Sequence, residues 1–504
     1  MSEVMQQSRS TDWMVWGLLG VAAVLLFANL QNGYLWQDEA ETALLARNTL
    51  RFGYPKAFDG RSVIDEPMGY GPGQAWIYSP WLPFYLLAGV FAIFGESTWI
   101  ARLPFALFGW LSIFLTWRLS RLFTDDRRIH RLTVALLTCS VPFLLHMRQC
   151  RYYAMTTALL LGVCLAYLRY GQRPSVRRAA AIGLLLVSLF HTNFGTFIPT
   201  FAALILHHIV RGKPGTRRPL LAVCGLVAAL TVPWALFFYR SGFVGTLSLG
   251  RVAKHVEYYV RVTNKYLVPL GCMAGLSMLA WLWNRRVSSP RGPHVPSALR
   301  AFLILMVAAH AAFLLIPDQR HLRYLMPIVP LLLMGEAWWL VGWQARHRLV
   351  GWLLTGLALF TNVLQSPHVN IPLVAFVGEL THTYRGPMDG VVNYLQAHAR
   401  PNERAKIPYD DRTLMFYTEL AVERPSAFFE ETYPEWVILR RPWMPREFYE
   451  SDYFRTIQAS YDRIELDVPD LLWQNREDPG SHQFRTVEGG PRVVIYRKRE
   501  ARHG

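Results

Sequence analysis

Between residues 13 and 364 the chain is a succession of apolar runs separated by short polar loops. Crossing a hydrocarbon core takes roughly 20 apolar residues per helix. A bilayer offers no water to backbone groups, so such runs cross it as helices. Eleven candidate spans follow: 13–30, 98–122, 132–147, 153–170, 179–190, 194–210, 220–239, 266–283, 299–316, 322–343 and 349–364. They predict a polytopic α-helical membrane protein of about eleven transmembrane helices plus interfacial helices. Residues 1–365 form this transmembrane part, with 31–97 as its first outer loop. Residues 366–504 read as a small α/β domain. Trp436-Val437-Ile438-Leu439 and Val493-Val494-Ile495-Tyr496 are strand-like, and 391–395 is helical.

A net charge of +17 invites a nucleic-acid partner until the charge is located. The loops at 118–131, 169–178, 211–218, 285–291 and 346–348 carry eighteen Lys and Arg against only Asp125 and Asp126, which accounts for nearly all of it. Basic loops face the cytoplasm. The outward set is then 31–97, 148–152, 191–193, 240–265, 317–321 and the C-terminal region, and no nucleic acid is implied. Two assignments keep this alternation. The apolar 81–94 is short and reads as an interfacial or re-entrant helix. Residues 179–210 read as two short helices meeting at His191-Thr192-Asn193. The five cysteines fall in or beside apolar runs, without metal-ligand spacing, and read as small core residues.

The outer loop carries the chemistry. Asp38 and Glu39 stand just beyond the first apolar run. Asp38 with Glu41 can make a capping-box start for a helix that Gly53 ends. Equally, a carboxylate fixed at the membrane surface can act as a general base. Outward cations are the candidates for holding a phosphate: Arg148, Arg151, Arg261, Lys265, Arg320 and Arg323, with His191 and Asn193 at the polar turn. The same arginines would also suit lipid headgroups. No Gly-Lys-Ser/Thr phosphate loop and no dinucleotide fingerprint occurs, which disfavours a nucleotide-sugar donor. No His-Glu-x-x-His zinc motif occurs, and a divalent metal is possible but not indicated.

The pattern Trp36-x-Asp38-Glu39-Ala40-Glu41, with Ala46-Arg47-Asn48 and Gly53-x-Pro55, resembles the first outer loop of the GT-C glycosyltransferases. The nearest subgroup contains the protein O-mannosyltransferases and the lipid A aminoarabinose transferase. Phe94-Gly95-Glu96-Ser97 through Arg102-Leu103-Pro104 and Arg323-Tyr324-Leu325-Met326-Pro327 are similar to its later landmarks, in the same order. The resemblance implies inverting transfer of a sugar from a polyprenyl-phosphate donor to a glycan, lipid or protein acceptor. It implies an extracytoplasmic site in an integral protein of the bacterial inner membrane. It gives Asp38 the catalytic role, with Glu39 as second candidate. One landmark departs: where family members often carry a Lys-Pro-Pro-Leu-like run, this chain has Tyr78-Ser79-Pro80-Trp81. The alternative is a transporter or flippase of lipid-linked sugars, which mid-membrane charges and internal symmetry would favour. Reporter tags inserted after Pro214 and at the C-terminus are expected on opposite sides of the membrane. Both tags on one side would overturn the loop assignment.

Overall fold

The computed structural model describes residues 12–212, 214–238, 248–284, 295–366, 368, 370–472 and 475–500. Of the basic loop residues, Lys213, Arg285, Arg286 and Arg291 lie outside these. The first helices are α1 (Trp13–Phe27), α2 (Gln37–Phe52), α3 (Leu82–Phe94) and α4 (Thr98–Phe123). Then follow α5 (Arg127–Cys139), α6 (Val141–Met147), α7 (Tyr153–Gln172), α8 (Val176–Thr192) and α9 (Phe194–Arg211). The second half of the bundle holds α10 (Arg217–Phe238), α11 (Leu249–Tyr266), α12 (Leu270–Asn284), α13 (Ser297–Phe313), α14 (Val329–Arg346) and α15 (Arg348–Phe360).

A helix stands at each of the eleven places where a span was expected. Not all are long enough to cross a membrane alone. Among the described residues five meet length and hydropathy together: α4, α7, α9, α10 and the Leu322–Arg346 segment that contains α14. Two bent pairs bring the number to seven if each pair is one span. One is α5 with α6, bent by 69° within the run read as a single span at 132–147. The cause is Pro142, in the first turn of α6. Proline cannot donate to the carbonyl one turn back, so it starts a helix where it would break one. Ser140 accordingly takes an extended conformation between the two. The other pair is α11 with α12, bent by 85°.

α3 is a separate short apolar helix of 13 residues. α8 and α9 meet where expected, at Asn193, whose side-chain oxygen accepts the Thr196 N–H at 2.8 Å and caps α9. α2 starts differently from the capping box. Trp36 is the N-cap, with no side-chain cap bond, and the Asp38 carboxylate is used elsewhere. Gly53, at φ +81°, ends α2 as a left-handed cap, a conformation open to glycine.

The C-terminal region adds α16 (Pro372–Thr381), α17 (Pro387–His398), α18 (Asp411–Tyr417) and α19 (Asp452–Ser460). It also holds five strands: β1 (Arg404–Lys406), β2 (Ala421–Val422), β3 (Trp436–Leu439), β4 (Tyr461–Pro469) and β5 (Arg492–Lys498). They form one mixed sheet in the order β2-β1-β3-β5-β4. Side chains alternate across a strand, and here the alternation divides two cores. Trp436, Ile438, Val493 and Ile495 join the large core that continues into the helices. Val437, Leu439 and Tyr496 face a smaller core with Phe448 and Phe454. The C-terminal region thus packs on the helices through shared apolar contact.

Arg440, at the end of β3, is fully buried between Asp410 and Asp470, with Asp470 Oδ1 at 2.8 Å. Arg440→Met leaves two buried carboxylates without their cation. It is expected to cost about 3–5 kcal/mol, measured as thermal unfolding of the purified protein. An unchanged midpoint would contradict this.

Candidate active site

α2 presents its first carboxylates in different directions, because successive helical residues point about 100° apart. Glu39 is fully buried and points to α4. Arg102 Nε donates to Glu39 Oε1 at 2.9 Å and Nη2 donates to Oε2 at 2.7 Å. The Cys150 N–H (2.8 Å) and Asn475 Nδ2 (3.3 Å) donate to the same carboxylate. Glu39 therefore holds the loop in place, and its oxygens are taken. The structure does not turn it toward the arginines that Asp38 meets.

Asp38 points the other way. Arg323 Nη1 donates to Asp38 Oδ2 at 2.7 Å. Arg151 Nη2 lies 3.7 Å from that oxygen, and its Nη1 donates to the Asp38 carbonyl (2.8 Å) and to Glu41 Oε1 (3.0 Å). Glu41 is shared with Arg412 from α18, which also donates to Glu66 at 2.8 Å. Arg323 Nη1 is shared in turn with Glu477 Oε1 at 3.1 Å. The result is one ladder of alternating charge: Glu66, Arg412, Glu41, Arg151, Asp38, Arg323, Glu477. Its four carboxylates outnumber its three guanidiniums.

The ladder sets proton affinities. Burial pushes the Asp38 carboxyl up, but Arg151, Arg323 and Arg412 together outweigh it and hold the group at about 2. Glu477 goes the other way: burial raises it, Arg323 only partly offsets this, and the neighbouring Asp38 charge raises it further. His321 is brought down to about 4, first by burial and then by Arg323.

Arg151 and Arg323 also line a cavity of about 100 Å³, together with Tyr78, Ser79, Tyr152 and Tyr324. Each keeps an Nε–H without a partner among the described residues. Asn193, Phe194, Gly195 and Thr196 bring the N-terminus of α9 to the same cavity, an environment that favours an anion. The arrangement thus joins a fixed carboxylate, through two shared arginines, to a pocket that Glu41 also lines.

The structure brings together Asp38, Arg151, Arg323 and Asn193. It does not bring the other expected residues to them. Arg148 is buried elsewhere, donating to the carbonyls of Ala28 (2.6 Å) and Asn29 (3.2 Å) at the end of α1. The His191 ring packs edge-on against Phe190 and Trp234. Arg261 is exposed on α11. Lys265 lies over the Tyr266 ring and borders a different cavity, of about 500 Å³. Arg320 is exposed over Tyr258 and donates to the Lys254 carbonyl at 3.2 Å. Sequence reasoning did not single out Arg102, Arg412 or Glu477 for the site. Arg102 stood inside a quoted landmark. Arg412 and Glu477 lie in unremarkable polar stretches with no local signal. Among the described residues no three His, Cys, Asp or Glu side chains gather as metal ligands would.

Residues 78–237 match the family model described as dolichyl-phosphate-mannose-protein mannosyltransferase. Comparison with curated protein sequences gives no match. Among solved structures, ArnT from Cupriavidus metallidurans bound to undecaprenyl phosphate aligns over 97% of this chain and 98% of its own. The identity is 16% and the TM-score 0.57. The apo state of that protein aligns over the same shares at 15% identity and TM-score 0.57. The mycobacterial arabinofuranosyltransferase AftD aligns over 98% of this chain at 14% identity and TM-score 0.53, and this chain spans 40% of it. The fold is that of the GT-C membrane glycosyltransferases. The resemblance drawn from the ordered landmarks is supported by the family model over residues 78–237 and by the shared fold. None of these matches is to a transporter.

The low proton affinity of Asp38 has a definite sign in stability. A carboxyl held at about 2 against an ordinary 3.8 stabilises the fold fully above about pH 4, and that share is lost as pH falls through 2. The stability difference between wild type and Asp38→Asn should therefore be constant near neutrality and shrink in acid. A difference unchanged down to pH 2 would mean that Asp38 is not held by these arginines.

Proposed function

We propose that this protein is an inverting glycosyltransferase. It moves a sugar from a polyprenyl-phosphate donor to an acceptor on the outer side of a bacterial inner membrane. The observation that carries this is the Asp38 carboxylate bound to Arg323 and Arg151, two arginines that also wall the anion-favouring cavity. The family model, described by its dolichyl-phosphate-mannose donor, and the fold shared with an ArnT that binds undecaprenyl phosphate support this donor class.

The donor's phosphate sits against Arg151 and Arg323, with the α9 N-terminus behind it. A lipid phosphate is a competent leaving group once its charge is neutralised, so no strong general acid is required. The acceptor hydroxyl attacks the anomeric carbon from the face opposite the phosphate. The bond from that carbon to the phosphate oxygen breaks, and its electron pair leaves with the polyprenyl phosphate. The proton passes to the carboxylate at Asp38. In the free protein this carboxylate is a weak base because two guanidiniums hold it. As the phosphate draws on the same guanidiniums, the carboxylate's proton affinity rises. Guanidiniums fit phosphate through paired N–H donors. Arg151 is fixed for this by Glu41, and Glu41 by Arg412. Charge neutralisation is assigned to these side chains, and no step is assigned to a metal. The outward position is our reading of the basic loops as cytoplasmic.

Asp38→Asn is expected to abolish transfer in reconstituted liposomes while the protein remains folded and inserted. Undiminished turnover would overturn the assignment. Mass spectrometry of glycolipids and glycoproteins from cells lacking the protein identifies the sugar and acceptor as the missing product.

A further inference from the structure

Two carboxylates from distant parts of the chain share a single N–H-bearing nitrogen. Arg323 Nη1 holds Asp38 Oδ2 at 2.7 Å and Glu477 Oε1 at 3.1 Å, and the two side chains are 18% and 8% exposed. Glu477 belongs to a C-terminal stretch that is otherwise pinned to the site. Its neighbour Asn475 donates to Glu39, and Arg476 lies 5.9 Å from the Trp36 ring centroid. The shared guanidinium is what allows the two negative charges to sit together.

We propose that the proton acceptor of the reaction is the Asp38–Glu477 pair, formed when the departing phosphate takes Arg323 from it. The proposal rests on the reading that Arg323 receives the donor phosphate. A sugar-bearing lipid phosphate is a diester with one negative charge, and it shares Arg323 with the pair. The lipid phosphate released is a monoester, which carries a second charge with a pKa near 6. As that charge appears, Arg323 moves its hydrogen bond to the phosphate. Two neighbouring carboxylates are then left without their common cation, and like charges that close share one proton. That proton is the one lost by the acceptor hydroxyl. The bond made is sugar to acceptor oxygen, the bond broken is sugar to phosphate oxygen, and the proton ends on the pair, later passing to water.

The surrounding charges favour this outcome. The ladder already has one more carboxylate than guanidinium, so a phosphate adds negative charge where there is an excess. Facing Asp38 are Arg151, Arg412, His321 and Glu66. Facing Glu477 are Tyr153 and Tyr409. Tyr152 and Tyr324 complete the wall beside Asp38. Of these, His321 is held low by burial and by Arg323 and would gain proton affinity when Arg323 turns to a phosphate, so the test must separate it from the pair.

Binding of undecaprenyl phosphate, the product-like ligand, reports the exchange without knowledge of the sugar. Calorimetry of the full-length protein in nanodiscs, in buffers of different ionisation enthalpy, gives the number of protons taken up. Relative to Glu477→Gln, the wild type is expected to take up about one additional proton, so that the ratio of their dissociation constants changes about tenfold per pH unit above neutrality. Glu477→Asp is expected to restore the uptake, which a merely structural role for the loop would not do. Equal uptake in wild type and Glu477→Gln overturns the proposal, as does uptake lost in His321→Ala but kept in Glu477→Gln. If Glu477→Gln does not fold, wild type and Glu477→Asp still decide. Each must show uptake that exceeds what phosphate ionisation allows, and absence of that excess overturns the proposal. Failure of the wild type to bind undecaprenyl phosphate, or full transfer by Asp38→Asn, would instead overturn the donor and base assignments of the proposed function.

Discussion

The buried ion pair of Glu39 and Arg102 is the contact on which the site depends. Burying two charges costs several kcal/mol per ion unless their hydrogen-bonding capacity is met. Here it is met closely. The Arg102 guanidinium donates to both Glu39 oxygens and to the carbonyls of Leu30, Asn32, Gly33 and Tyr34. The chain leaving α1 is therefore wrapped around one guanidinium before it enters α2. Glu39 is also the acceptor for the Cys150 amide, so the Arg148–Tyr152 turn is positioned by the same carboxylate. With Glu39 fixed toward α4, Asp38 one residue earlier is aimed at Arg151 and Arg323. The adjacent acidic residues, which look equivalent in sequence, divide into one that holds the loop and one that faces Arg151 and Arg323.

The alternating ladder extends this logic through the site. Each arginine is bound to two carboxylates, and Asp38 and Glu41 each stand between two arginines. Such a network is costly to form piecemeal but leaves each member in one orientation once formed. It also draws on four separate segments: the outer loop with α2, the turn before α7, the turn before α14, and the C-terminal region through Arg412 and Glu477. The C-terminal part is therefore joined to the same charge network. Gln37 donates to Asp411 at 2.6 Å, and Thr413 donates to the Leu35 carbonyl at 2.9 Å, so α18 fixes the start of α2 from the outside.

Much of this was legible in the sequence because the relevant signals are local. Apolar runs mark helices wherever they occur, and each expected span contains one. The landmarks around Asp38, Arg102 and Arg323 were visible as motifs, and the structure closes them on each other. The Arg47–Glu96 pair at 2.6 Å likewise joins two of them. Span lengths were less legible, because Pro142 divides one run and α1, α13 and α15 end early. The capping expectation for Asp38 failed for a different reason. A carboxylate at a helix start has one local partner, the backbone N–H, but tertiary arginines offered a stronger one. Arg412 and Glu477 were illegible because their partners are far away in sequence: Glu41 lies 371 residues from Arg412, and Arg323 lies 154 residues from Glu477. No spacing rule connects such positions. The exposed Arg261 and Arg320 show the converse: a cation in a loop of the expected outward set need not reach the Asp38 cluster.

The position where relatives often have a lysine clarifies how this site holds charge. Tyr78, Ser79 and Pro80 form one wall of the cavity, and no cation stands there in the chain. The positive groups of that cavity are Arg151 and Arg323. A lysine would be a compact point charge, free to follow a phosphate on its own. An arginine already bound to carboxylates is a planar fork whose bonds must be exchanged. Under the proposed function, phosphate binding falls on the guanidinium whose Nη1 Asp38 and Glu477 share. The Tyr78 hydroxyl, pushed above its ordinary range by burial and by Glu66 and Glu41, stays a neutral donor on the wall. Under the proposed function, this arrangement links the charge of the leaving group to the proton affinity of Asp38, which a lysine at that wall would leave independent.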